Sequence, residues 1–185
     1  APDMVCIAKG LGAGIQPIGA MLCSGEIYSA IEHGSGFFQH GHTYLGHPAA
    51  CAAGVAVLQE VERHDLLANV NAMGAKLMTA LEARFGQHAH VGDIRGRGLF
   101  LGVELVQDKD TKAPFDPALK LHADIKKRAL AAGLMVYPMG GTVDGLAGDH
   151  VLIAPPYIID ETHVAEIIDK LDTAINGALG ASKAA

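Results

Sequence analysis

The chain has 185 residues, of which 50% are hydrophobic and 18% are charged. This composition predicts a folded protein with a buried core and excludes a disordered one. The formal net charge of -6 offers no basic surface to a phosphate backbone, so we expect no nucleic-acid partner. We also expect no membrane contact, because Gly, Pro or a charged residue interrupts every apolar run before it reaches spanning length.

The cysteines bear on the cellular compartment. The sequence has three of them, Cys6, Cys23 and Cys51, and no two form a Cys-x-x-Cys pair. Because an odd number cannot all be paired within one chain, we expect structural thiols and a reducing, cytoplasmic setting.

Lys9 stands between the first two predicted strands, residues 4–8 and 19–23, at the start of a glycine-rich turn over residues 10–17. A buried strand would remove part of the hydration that stabilises the ammonium group, which makes the amine a better nucleophile. Lys9 is therefore a candidate to form a Schiff base with an aldehyde cofactor. The commoner alternative is a lysine that buries only its stem and keeps its charge in water. A P-loop does not fit, because its glycines precede the lysine.

A short helix is predicted over residues 26–31, followed by a loop over residues 34–46 that is rich in Gly, His and aromatic residues. Thr43 lies in this loop, just before a helix that Pro48 is suited to begin. A hydroxyl and backbone N–H groups at a helix N-terminus suit a bound phosphate. The histidines of the loop match no zinc spacing, so we expect them to bond backbone groups and expect no metal site; they are His40, His42 and His47.

Two helices are predicted next. The Ala-rich run after Pro48 is typical of a buried or interface helix, because its small side chains allow close packing. The second begins near Asp65, has apolar residues at three-to-four spacing and is expected to end at Gly86. From His90 the pattern changes to alternating strands and helices, so we place a domain boundary near residue 88.

The remaining elements are predicted from caps and alternation. We expect strands over residues 99–106, 134–137 and 150–154, a helix between Asp116 and Gly133, and a last helix capped by Asp160. A tight turn over residues 94–98 carries Arg95 and Arg97, either of which could grip a carboxylate or serve the turn itself. We expect a mobile flap over residues 139–148 and a frayed tail from Gly180.

Four segments, taken in order, carry a family resemblance: AKGLGAG from residue 8, GHTYLGHP from residue 41, IRGRGLFLGVEL from residue 94 and HVLIAPPYII from residue 150. Together they resemble the C-terminal half of the class III (omega-type) aminotransferases, which use pyridoxal phosphate (PLP). The resemblance implies an α/β protein of the PLP-dependent transferase fold type I. Residues 1–88 would be part of the large PLP-binding domain, with its mostly parallel sheet, an interface loop and a linker helix. Residues 89–185 would form the small C-terminal α/β domain.

The resemblance also implies roles for two residues. Lys9 matches the lysine that forms the Schiff base with the cofactor and then moves a proton as general base and acid. Thr43 matches the threonine that binds the cofactor phosphate of the neighbouring subunit, in a homodimer with active sites at its interface. The implied reaction moves an amino group from an amine or amino-acid donor to a 2-oxo acid acceptor.

The substrate class implied by the resemblance depends on Leu152. Relatives that act on ornithine-type substrates have an arginine at this position, which grips the substrate carboxylate. Its replacement by Leu152 favours omega-amino acids or amines as substrates. Relatives of that second group have an arginine on the strand near Tyr137, which is also absent here, so Arg97 or a residue outside this chain is left for the role.

Several parts of the family's site would lie before residue 1, among them the glycine-rich phosphate loop and the aspartate that holds the pyridine nitrogen protonated. We therefore expect this chain to be an incomplete fragment that does not catalyse transamination alone. Two alternatives stay open: another fold type I enzyme, such as an aminomutase or decarboxylase, and a catalytically inert fragment that serves assembly.

Overall fold

The computed structural model describes residues 1–182, which form an α/β structure. The chain divides into two compact units, Ala1–Asp65 (unit 1) and the part from Leu66 onward (unit 2). No helix in the described part of the chain has the length and apolar character needed to cross a membrane.

Unit 1 begins with two short antiparallel strands, β1 (Met4–Ile7) and β2 (Ala20–Cys23), in which Met4 pairs with Cys23. Between them lies a single 3-10 turn, Lys9–Gly12, here called the Lys9 turn. Two helices follow, α1 (Gly25–His33) and α2 (Pro48–Arg63). Ser24 caps α1 by accepting a hydrogen bond from the Ile27 N–H, and Pro48 occupies the first position of α2, where a missing N–H costs nothing.

The elements of unit 1 agree with those predicted, but its burial does not. All residues of β1 and β2 are exposed, so the prediction that a buried strand delivers Lys9 is wrong. In residues 1–65 the buried positions are Gly12 and Gly54. The parallel strands implied by the family resemblance are not among the described strands, which all pair antiparallel.

Unit 2 is built on a four-stranded antiparallel sheet with the spatial order β3-β4-β6-β5. Its strands are β3 (Val91–Arg97), β4 (Phe100–Leu105), β5 (Tyr137–Val143) and β6 (Ala147–Ile153). Its helices are α3 (Leu66–Phe85), α4 (Leu121–Ala131) and α5 (Glu161–Ser182).

The core of unit 2 lies between one face of this sheet and the three helices. Alternate residues of β4 are buried, namely Leu101, Val103 and Leu105, as the two-residue period of a strand requires. Phe85 on α3 and Leu171 on α5 are fully buried in the same cluster. Each such side chain contributes about 1.5–3 kcal/mol by leaving water. The opposite face of the sheet is partly open.

The division between the units lies earlier than the boundary predicted near residue 88. The reason is that α3 buries residues on one face in the core of unit 2, among them Leu77 and Leu81, and packs on α5 and β3. Helix α3 thus shares the hydrophobic core of the sheet that follows it.

Four predictions for elements of unit 2 need correction. The segment 139–148 is an ordered hairpin formed by β5 and β6, not a flap, and β5 starts at Tyr137 rather than residue 134. Residues 94–97, predicted to lie in a tight turn, instead belong to β3, which pairs with β4. The helix predicted from Asp116 is interrupted at Lys120, whose φ of 48° separates a short 3-10 turn from α4.

The predicted ends of the last two helices agree better with the structure. Gly133 follows α4 with a φ of 77°, and Asp160 caps α5 by accepting from the N–H groups of Thr162 and His163. Residues 180–182 of the tail, predicted to be frayed, belong to α5, and residues 183–185 lie outside the described residues.

Candidate active site

Lys9 lies directly after β1, and its side chain is exposed. Its ammonium group makes no hydrogen bond or ion pair with any of the described residues. Its backbone has a φ of 56°, in the left-handed region that non-glycine residues rarely adopt, at a cost of about 1–2 kcal/mol. Such strain persists only where surrounding structure maintains it, and it is frequent at functional sites. An unpartnered amine on a strained backbone is consistent with a chemical role for Lys9.

Thr43 lies in a loop of successive turns that leads into α2. The Leu45 N–H donates to the His42 carbonyl at 2.9 Å, and the His47 N–H donates to the Tyr44 carbonyl at 3.1 Å. The Thr43 hydroxyl makes no hydrogen bond within residues 1–182. A free hydroxyl is therefore held just before the N-terminus of a 16-residue helix.

The histidines of this loop differ from one another. The predicted backbone bond is confirmed for His47, whose Nδ1 accepts from the Ala50 N–H at 3.4 Å. The rings of His40 and His42 instead meet edge to face, with centroids 5.7 Å apart. No group of three or more metal-ligating side chains is assembled within the described residues.

Helix α2 packs on the Lys9 turn at Gly54. A Cβ atom placed on Gly54 would lie 3.3 Å from Cδ1 of Ile18 and 3.9 Å from the carbonyl oxygen of Leu11. The backbone just after Lys9 and the helix just after Thr43 are thus in contact. The side chains of Lys9 and Thr43 make no hydrogen bond with each other in the described structure.

The open face of the unit 2 sheet carries the residues considered above for substrate binding. Leu152 lies between Gly102 on β4 and Tyr137 on β5, beside a shallow concavity of about 370 Å³. Arg95 Nη1 donates to Asp93 at 2.8 Å and to Glu104 at 2.5 Å. Both bonds raise the pKa of Arg95, and the bond to Asp93 has the larger effect. The two acids also neutralise the arginine charge locally.

Arg97 differs from Arg95 in having no partner. It lies at the end of β3, exposed, and makes no hydrogen bond or ion pair with another described residue. Of the two arginines of β3, only Arg97 therefore has its guanidinium available for a carboxylate.

A second concavity, of about 400 Å³, lies between α4 and the β5–β6 hairpin and was not predicted from the sequence. Asp149 is buried there, and its Oδ1 accepts from the His122 N–H at 3.1 Å and lies 2.7 Å from the Nδ1 atom of His122. The two residues are 27 positions apart on different elements, so no local pattern indicates the pair.

Comparison with known proteins identifies the family. The family model described as Aminotransferase class-III matches residues 1–175. The chain belongs to the class-III aminotransferase family. The match covers the segment around Lys9, the loop of Thr43 and the whole sheet of unit 2, so the family resemblance seen in the sequence is confirmed.

Individual members of the class-III family agree with this assignment. An aminotransferase of Gibberella zeae is 41% identical over 180 residues, which are 97% of this chain and 35% of that protein. The omega-transaminase of Thermomicrobium roseum superposes with a TM-score of 0.88 at 33% identity, over 97% of this chain and 38% of that one. A PLP-bound amine transaminase from an uncultivated Pseudomonas species superposes with a TM-score of 0.85 at 38% identity, over 96% of this chain and 39% of that one. The chain thus spans less than two fifths of the length of these relatives.

Proposed function

We propose that this chain is part of a PLP-dependent transaminase that moves an amino group from an omega-amino acid or amine to a 2-oxo acid. The observation that carries the proposal is the match to the class-III family over residues 1–175, which includes the glycine-rich segment of Lys9, an exposed amine without a partner among the described residues. When bound, PLP supplies an electron sink that stabilises negative charge at the substrate carbon next to the amine.

The side chains of unit 1 suit this cofactor. An unpartnered primary amine is the group that can bond an aldehyde, and a free hydroxyl ahead of a helix N-terminus is suited to a phosphate. Lys9 Nζ would hold the cofactor covalently and, once released by the incoming amine, would move a proton to and from the substrate carbon. The Thr43 hydroxyl would donate a hydrogen bond to the phosphate.

The surface of unit 1 supports a homodimer in which Thr43 serves the site of the partner subunit. Four large apolar side chains lie near Thr43 in its loop, and they are 54–80% exposed: Phe37, Phe38, Tyr44 and Leu45. Apolar surface of this kind is typical of protein interfaces. The exposed thiols of Cys6, Cys23 and Cys51 support the proposal of a reducing, cytoplasmic setting.

The unit 2 sheet supports amine or omega-amino-acid donors. Leu152 offers no charge at the position where the family resemblance implies a carboxylate-binding arginine in ornithine-type relatives, and the charge of Arg95 is already neutralised by acids. Arg97, at the end of β3, has no partner among the described residues and is available for a substrate carboxylate. The name of a relative from Halomonas elongata, diaminobutyrate–2-oxoglutarate transaminase, supports a 2-oxo acid as the acceptor. That relative is 34% identical to this chain.

The test is covalent trapping at Lys9. The intact protein is mixed with PLP, reduced with borohydride and weighed by mass spectrometry. Wild type and the control variant Lys127→Ala, which removes an exposed lysine from α4, should each gain the mass of one reduced cofactor. Lys9→Ala should gain none. An adduct that survives in Lys9→Ala, or its absence from the wild type, would contradict the proposal.

A further inference from the structure

We infer that Gly54 of α2 is a positioning residue for Lys9, and that α2 sets the place of both proposed cofactor contacts. The inference rests on the proposed function. Gly54 touches neither cofactor nor substrate, and its effect passes through Leu11 and Ile18 to the Lys9 turn.

Burial singles out this contact. In residues 1–65 the buried positions are Gly12 in the Lys9 turn and Gly54 in α2. Both glycines face Ile18: a Cβ on Gly12 would lie 3.1 Å from its Cγ2 atom, and a Cβ on Gly54 would lie 3.3 Å from its Cδ1 atom. Ile18 therefore fills the space between the turn and the helix, and the packing of unit 1 is concentrated at this point.

A glycine at this place has no local explanation. It lies in the interior of a 16-residue helix otherwise rich in alanine, where glycine is a poorer helix former than its neighbours. Its φ is not positive, so backbone conformation does not require it. The close approach of Leu11 and Ile18 does account for it, since a larger side chain would displace the backbone two residues after Lys9.

Because the backbone at Lys9 is strained, the position of Lys9 depends on the contact between α2 and the Lys9 turn. Hydrogen bonds at the Lys9 turn run from the Leu11 N–H to the Ala8 carbonyl at 3.2 Å, from the Ala13 N–H to the Gly10 carbonyl at 3.0 Å and from the Ile15 N–H to the Gly12 carbonyl at 2.9 Å. These bonds are local to residues 8–15 and do not reach α2. A left-handed lysine stays in place only while its surroundings hold it. If α2 moves away from the turn, Lys9 can relax toward ordinary backbone angles, and its amine then leaves the position set for the cofactor.

The N-terminal end of α2 lies next to Thr43. The His47 ring and carbonyl accept from the N–H groups of Ala50 and Cys51, and so join the Thr43 loop to the first turn of the helix. One rigid helix therefore connects the hydroxyl proposed for the phosphate with the turn that carries the amine. A shift of α2 would disturb both contacts together.

The experiment uses a graded series at Gly54 in the intact protein. Gly54→Ala should have a small effect, because its tightest contact, at 3.3 Å, is with the flexible end of Ile18 and its contact with Leu11, at 3.9 Å, is an ordinary one, whereas Gly54→Val should displace the turn. Ala56→Val is the matched control, since it adds a β-branched side chain at an exposed position of the same helix. The double variant Gly54→Val/Ile18→Ala restores the space and should recover wild-type behaviour.

Two measurements are made on each variant. The first is hydrogen exchange of the amides of residues 10–13 without cofactor, which Gly54→Val should speed by about tenfold or more. The second is the rate at which borohydride-fixed cofactor appears on Lys9, which Gly54→Val should lower by about tenfold to a hundredfold. Ile18→Ala alone, which empties the contact without bulk in α2, should speed exchange in the same amides.

The outcomes separate the inference from the proposed function. If Gly54→Val leaves exchange and trapping unchanged, if it alters exchange without slowing trapping, or if Ala56→Val has the same effect, the positioning role is wrong. If Gly54→Val does not fold, Ile18→Ala decides by the same two measurements. If the wild type traps no cofactor on Lys9, the proposed function fails, and with it the role of Gly54 toward the cofactor, whatever the exchange data show.

Discussion

The two units of this chain differ in where they carry packing and where they carry chemistry. Unit 2 contains all the buried hydrophobic residues of the described structure, from Met73 to Leu179. Unit 1 carries Lys9 and Thr43 but buries only Gly12 and Gly54. The sheet and helices of unit 2 therefore supply stability within the chain, while the residues proposed for the cofactor lie on elements that bury almost nothing by themselves.

This difference explains how a reactive group can stay available. A core holds its side chains in close-packed contacts, which leaves no amine or hydroxyl free for a ligand. The exposed elements of unit 1 leave the Lys9 amine and the Thr43 hydroxyl without partners among residues 1–182, and their exposed apolar side chains offer a surface for further protein to cover.

The largest effect is expected from the core of unit 2. Phe85→Ala should lower the free energy of unfolding by about 3–5 kcal/mol, because Phe85 is fully buried and its loss leaves a cavity. Leu58→Ala in unit 1 should change it by less than about 0.5 kcal/mol, because Leu58 is 57% exposed. Urea unfolding followed by circular dichroism measures both. Equal losses in the two variants would contradict the division.

The buried pair in unit 2 should give the next largest loss. Asp149→Ala should cost about 2–3 kcal/mol, because the His122 N–H and imidazole lose a buried carboxylate acceptor at the start of α4. Asp149→Asn keeps an oxygen acceptor and should cost less. The same urea titration gives both values, and an Asp149→Ala protein as stable as wild type would show that the pair is not structural.

A smaller, local effect is expected for Thr43 in unit 1. Thr43→Ala should raise the dissociation constant of PLP by about tenfold or more, because a hydrogen bond to a charged phosphate is lost. Thr43→Ser keeps the hydroxyl and should stay near wild type. Absorbance titration with PLP measures the constant, while urea unfolding should be unchanged because Thr43 is exposed. Equal PLP affinities for the Ala and Ser variants would rule out a hydrogen bond from the Thr43 hydroxyl to the phosphate.

The smallest effect concerns the cap of α5. Hydrogen bonds to the Asp160 carboxylate hold its pKa below the ordinary value of 3.8. The bond from the His163 backbone N–H has the largest effect, and further contacts with His163 and Thr162 add to it. A lowered pKa stabilises the fold above that value, and the contribution is lost as the pH falls through the pKa of the folded state. Asp160→Asn should therefore flatten the pH dependence of unfolding below about pH 4. Asp110→Asn, which changes an exposed aspartate, serves as the control, and an equal change there would refute the assignment.

The elements that the sequence predicted well are those with local signals. Helix α3 shows its apolar period and ends one residue before Gly86, and α5 begins directly after its Asp160 cap. The candidate residues Lys9 and Thr43 were found from a strand-to-glycine turn and from a helix start. Capping and periodicity depend on residues within a few positions of each other, so they can be recognised without the fold.

The parts that the sequence did not predict depend on distant partners. The glycines of residues 139–148 suggested a flap, but β6 pairs with both β4 and β5 and orders the hairpin. Strand β3 contains Gly92 and Gly96, which weaken a strand pattern, and pairing with β4 forms it nonetheless. The contact of Gly54 with Ile18 likewise joins elements far apart in the chain.

The most direct measurement is a peptide map of the reduced adduct in the intact protein. After treatment with PLP and borohydride, proteolysis and mass spectrometry locate the cofactor on one lysine. We expect the cofactor on Lys9, in the peptide that contains the Lys9 turn of unit 1. A cofactor fixed mainly on a lysine of unit 2, such as Lys126 beside His122, would contradict it.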